Sequence, residues 1–184
     1  LWEDIFSFAF PENDKDKFNS SNDEYFLGPI VTFKNEDEKM EIIDGQQRIT
    51  TVSLLLIAMV NAKKEGLIEA TDAKLVEKIF KRYLVDEYQE DERKVKLKPI
   101  KKDMQAFDAL LYKPKEQYIK ESNLTRNYDF FYDKIIHCGL TIDELFETIK
   151  KLEVINIRLD EDDDRQLGFE SLNSTGLGLS EADK

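Results

Sequence analysis

The residues best suited to chemistry stand together in Asp44-Gly45-Gln46-Gln47-Arg48, followed by Ile49-Thr50-Thr51. The apolar run Ile42-Ile43 leads in and the most hydrophobic stretch of the chain leads out, so the segment reads as a strand-to-helix turn. The first N–H groups of a helix have no intrahelical partner, carry partial positive charge and attract anions. A cation in the first turn opposes that field by roughly 0.3–1 kcal/mol at a surface site. Arg48 is such a cation. An anion seated on the amides reverses the sign and gives the guanidinium a bidentate partner. Gly45, lacking a side chain, lets a phosphate approach the backbone closely. A second reading needs no ligand: Asp44 as N-cap with Gln47 three residues on makes a variant capping box, worth about 1 kcal/mol. That accounts for Asp44 and Gln47 and leaves Arg48 unexplained.

A site of this kind needs a stiff support. Ile49, Val52, Leu54, Leu55, Leu56, Ile57, Met59 and Val60 leave almost no polar face, so the helix over 46–64, stopping near Gly66, is expected to be buried all round. Each large apolar side chain fully buried contributes about 1.5–3 kcal/mol as an upper bound, which far outweighs a cap or a dipole mismatch. Around it the pattern predicts a helix over 2–9, a polar loop over 11–24, and strands over 25–33 and 39–43 joined by a hairpin-like 34–38. Helices follow over 72–85, 103–111, 124–137 and 142–151, then a strand over 154–159 and a helix over 163–173. The class is α+β, a small sheet with a helical majority.

At 184 residues the chain is about one domain long. One cysteine and one histidine leave no disulfide framework and no ordinary zinc site. The longest apolar stretch, Val52 to Val60 with Ser53 inside it, is under half of the roughly twenty residues that a spanning helix needs. Leu1-Trp2-Glu3-Asp4 has no basic n-region, so a soluble, cytoplasmic piece of a longer protein is expected. The net charge of −12 excludes DNA or anionic lipid being held by the overall field. Charge is uneven, however: Arg93 to Lys120 holds nine Lys/Arg against three Asp/Glu, a local +6. Within it Lys94, Lys96 and Lys98 alternate with Val95 and Leu97, which at strand period puts the lysines on one face. They read either as protection of an edge strand or as a nucleic-acid contact.

Asp44-Gly45-Gln46-Gln47-Arg48 with Ile49-Thr50-Thr51 resembles the DGQQR signature of the GmrS-type N-terminal domain of GmrSD-like type IV restriction enzymes. Phe169-Glu170-Ser171-Leu172-Asn173-Ser174-Thr175-Gly176-Leu177-Gly178-Leu179 resembles that family's second landmark, about 125 residues on, and Phe26-Leu27-Gly28-Pro29-Ile30 stands where the family has the strand before the signature. The resemblance implies a mixed sheet similar to ParB and sulfiredoxin, with a core over about 1–66 and 152–184 and a helical insertion over about 67–151. It also implies binding and hydrolysis of a nucleoside triphosphate, coupled in relatives to sensing modified DNA and to an HNH nuclease. A single His137 cannot build an HNH site, so the nuclease belongs to another domain of the same or a partner chain.

The roles that follow are chemical. The amides of Gly45 to Gln47 and the Arg48 guanidinium would stabilise phosphate charge. Asp44 would hold a magnesium ion (Mg2+) or orient water, Gln46 or Gln47 would position the attacking water, and Thr50 and Thr51 would add hydroxyl contacts or bond within the first turn. Glu170, Asn173 and Gly176 form a possible second motif, whose plainer reading is a solvated face and a helix stop. Without a Gly-x-x-x-x-Gly-Lys-Ser/Thr run, an ordinary P-loop enzyme is excluded. Two rival functions stand beside the nucleotide site: a module reading modified DNA through the 93–120 stretch, and an interaction scaffold with a vestigial site.

Overall fold

A computed structural model describes residues 1–10, 18–19, 23–90 and 95–160. The chain divides into two compact units. Leu1–Glu24 with Ile49–Lys151 makes a helical unit, and Tyr25–Arg48 with Leu152–Lys184 makes a sheet unit. The described residues hold six α-helices and three strands, an α+β fold.

In the sheet unit, β1 (Tyr25–Lys34) is the central strand, flanked by β2 (Met40–Asp44) and β3 (Leu152–Leu159). β1 runs antiparallel to β2 and parallel to β3, so the sheet is mixed. Ile30, Val31 and Phe33 of β1 are buried. Two irregularities matter. Val31 pairs with Asp44 and Thr32 with Ile42, which leaves Ile43 as the extra residue of a bulge at the end of β2. On the other side, the β1–β3 register shifts between Phe26 and Gly28, just before Pro29. Proline cannot donate to a ladder, and glycine in a strand marks a bulge or a close approach, so Gly28-Pro29 in a central strand falls where the pairing is irregular.

The helical unit contains α1 (Trp2–Ala9), α3 (Leu75–Ile79), α4 (Lys101–Tyr112), α5 (Asn123–His137), α6 (Ile142–Lys150) and all but the first three residues of α2 (Gln46–Lys64). α1 packs on α6, and α4 on α5. In α2, Leu54 to Val60 are buried without interruption, as an all-apolar face requires. Asn61 is the polar exception: its amide donates to Leu110 O and to Tyr128 Oη, both at 3.0 Å. Burial there pushes the Tyr128 phenol above its ordinary range.

Helix ends differ in how they are closed. Thr141 Oγ1 accepts from the Glu144 amide at 3.2 Å and Glu144 Oε1 accepts from the Thr141 amide at 3.0 Å, a complete capping box at the start of α6. The helix expected over 72–85 is shorter and broken: after α3 the chain widens into π-type turns over Phe80–Leu84. Lys81 bridges Glu77 at 2.7 Å and Glu87 at 2.9 Å across that widened stretch. The helix expected over 163–173 lies outside the described residues.

Candidate anion corner at the start of α2

The turn between β2 and α2 is built by glycine. Gly45 has φ 90°, a left-handed conformation that side chains rarely adopt. A Cβ there would stand 3.0 Å from Ile30 Cγ1 and 3.2 Å from Pro29 O, so the turn lies directly on β1. The glycine is therefore required by close packing of the turn itself, whatever approaches from outside.

With Gly45 in the N-cap position, Asp44 is one residue too early to cap. It is paired to Val31 as the last residue of β2, and among the described residues its carboxylate makes no hydrogen bond or ion pair. The expected Asp44–Gln47 capping box does not form, because the strand extends one residue further than the sequence reading allowed. Gln47 is exposed, and its side chain is unbonded among the described residues. The Arg48 amide reaches Gly45 O at 3.0 Å, while the amides of Gln46 and Gln47 find no acceptor among the described residues.

The two remaining side chains of the signature brace the corner. Gln46 folds back and its Nε2 donates to Ile42 O at 2.8 Å and Ile43 O at 2.9 Å. Those are the carbonyls at the β2 bulge, so both amide hydrogens of Gln46 are used. Arg48 Nη1 donates to Pro29 O at 3.0 Å, beyond the last β1–β2 pair. Among the described residues its Nε and Nη2 have no partner, and no carboxylate pairs with it. Thr50 and Thr51, half-buried one turn further on, make no side-chain hydrogen bond among the described residues, so the expected first-turn bonding of their hydroxyls is not found there. What these residues can do chemically is bind an oxyanion: two free amides, the free edge of a guanidinium, and an unpaired carboxylate suited to a bridging cation.

The family model of the GmrSD restriction endonuclease N-terminal domain matches residues 1–184. The chain belongs to that family. The match covers the whole sequence, including both stretches on which the resemblance rests, and makes this the N-terminal domain of a GmrSD-type restriction protein. No curated protein and no solved structure matches the chain. Within this GmrSD N-terminal domain no described helix is long and apolar enough to cross a membrane.

The other candidate residues are placed less tellingly. Glu170, Asn173, Gly176 and Lys94 lie outside the described residues. Among its described residues the lysine stretch is not the strand that its alternation suggested: there only Val95 forms a strand bridge, an isolated one with Val85. The Lys96 amide donates to Leu84 O at 3.0 Å and its ammonium to Arg82 O. Lys98 is exposed. The loop closed by that bridge also carries Asp86, Glu87 and Glu90, which offset the lysines locally. Sequence reasoning missed the part played by Gly28-Pro29 in seating Arg48. Its signal was a Gly-Pro pair inside an apolar strand.

Proposed function

We propose that this domain binds the phosphates of a nucleoside triphosphate, with magnesium, at the corner Asp44 to Arg48, and that hydrolysis there regulates the restriction protein. One observation carries the reading: among the described residues the Gln46 and Gln47 amides at the start of α2 find no acceptor and no carboxylate pairs with Arg48. An oxyanion satisfies both at once. The amides of Gln46 and Gln47 and the Nε–Nη2 edge of Arg48 hold phosphate oxygens. Asp44, without a side-chain partner among the described residues, holds magnesium directly or through water. Of the two glutamines, Gln47 positions the attacking water, since the amide hydrogens of Gln46 are already spent on β2.

Calorimetric titration of the intact protein with GTP and with ATP, each with magnesium, tests the proposal. Saturable binding that is lost in Arg48→Ala supports it. Equal binding by wild type and Arg48→Ala, or no binding of either nucleotide, removes it.

A further inference from the structure

We infer that Gly28 is a positioning residue for Arg48, and that its missing side chain is what turns the Nε–Nη2 edge of the guanidinium into an oxyanion fork. The inference rests on the phosphate reading of the corner and adds to it the residue that sets the geometry. A Cβ built on Gly28 would stand 2.6 Å from Arg48 Nε, 3.0 Å from Cζ and 3.1 Å from Nη2. All three atoms belong to the Nε–Nη2 side of the guanidinium, so that side lies against the bare Cα of Gly28. Gly28 also has φ 130° and sits at the β1–β3 irregularity, so the strand opens its surface at the point where Arg48 arrives. The adjacent Pro29 carbonyl then takes one hydrogen of Nη1 at 3.0 Å.

Two contacts thus seat the guanidinium. Pro29 takes the Nη1 corner, and the bare Cα of Gly28 leaves room beside Nε–H and Nη2–H, which make no hydrogen bond among the described residues. Parallel N–H groups in that arrangement match two oxygens of one phosphate or carboxylate. A methyl group at position 28 fills the space beside the Nε–Nη2 side of the guanidinium and forces it off the strand.

The test compares wild type with Gly28→Ala, Arg48→Ala and the double variant in the intact protein. Affinity for magnesium-GTP and magnesium-ATP is titrated, and the Arg48 Nε–H resonance is followed without nucleotide. Expected are a loss of roughly tenfold or more in Gly28→Ala, a similar loss in Arg48→Ala, and no further loss on combining them. Wild-type affinity in Gly28→Ala, or losses that multiply in the double variant, overturns the inference. If wild type binds neither nucleotide, the phosphate reading fails and the resonance decides alone: movement in Gly28→Ala sustains the seat, and an unmoved signal overturns it. Should Gly28→Ala not fold, a folded double variant shows that the clash is with Arg48. A double variant that also fails to fold assigns Gly28 to the backbone alone and overturns the inference.

Discussion

The starts of α2 and α6 are opposite solutions to one problem. Both must deal with amides that the helix itself cannot satisfy. At α6 the answer is local: Thr141 and Glu144 exchange bonds, and Asp143 and Glu144 put negative charge in the first turn. α2 has a glycine at the cap position, no acidic residue in its first turn and an arginine there instead. A chain with 39 acidic residues had ample means to close that end in the same way. The unbroken buried run Leu54 to Val60 allows it to remain open, because the helix is held by its body and not by its end. The contrast separates a helix start closed by its own side chains from one that the described residues leave open.

Four substitutions break or sharpen this contrast. The largest effect is expected for Leu55→Ala, which empties a fully buried position in the body of α2 and should cost about 2–5 kcal/mol in chemical denaturation. A cost near zero would mean that the body does not carry the helix. Next, Arg48→Ala should weaken nucleotide binding by roughly ten- to a hundredfold, the size of hydrogen bonds to a charged group. Its thermal stability should stay close to wild type, which differential scanning fluorimetry would show. Thr141→Ala should behave in the reverse way, losing about 1 kcal/mol of stability with nucleotide affinity unchanged. Smallest in stability is Asp44→Ala, at under about 0.5 kcal/mol, but the dependence of binding on magnesium concentration should weaken. If Asp44→Ala costs as much stability as Thr141→Ala, the corner is capped in solution and the contrast disappears.

Much of the architecture was legible in the residues. The all-apolar run sets α2 at Gln46–Lys64, the expected span, and alternation with turn signals placed β1 and β2 within about a residue at their ends. Less legible was anything set by register. Whether Asp44 caps a helix or ends a strand depends on its pairing with Val31 across the hairpin, which local spacing does not encode. The same limit explains the lysine stretch: alternation at 94–98 suits a strand, but among the described residues only Val95 forms a strand bridge. Capping-box spacing is degenerate in the same way, since Thr141 to Glu144 forms the box that Asp44 to Gln47 only resembles. Of the candidate site, Arg48 stood out because its charge was wrong for its place. Gly28 did not, because its contact joins residues 20 apart in the chain through the bend of a strand.

The account depends on the α2 corner being completed by an anion. Nuclear magnetic resonance of the intact protein, titrated with magnesium-GTP and magnesium-ATP, reads that corner directly. Saturable shifts are predicted for the Gln46 and Gln47 amides and for Arg48 Nε–H, with the Thr141 and Glu144 amides unmoved. Shifts that spare the three corner signals, or that persist at the two amides in Arg48→Ala with unchanged affinity, would contradict it.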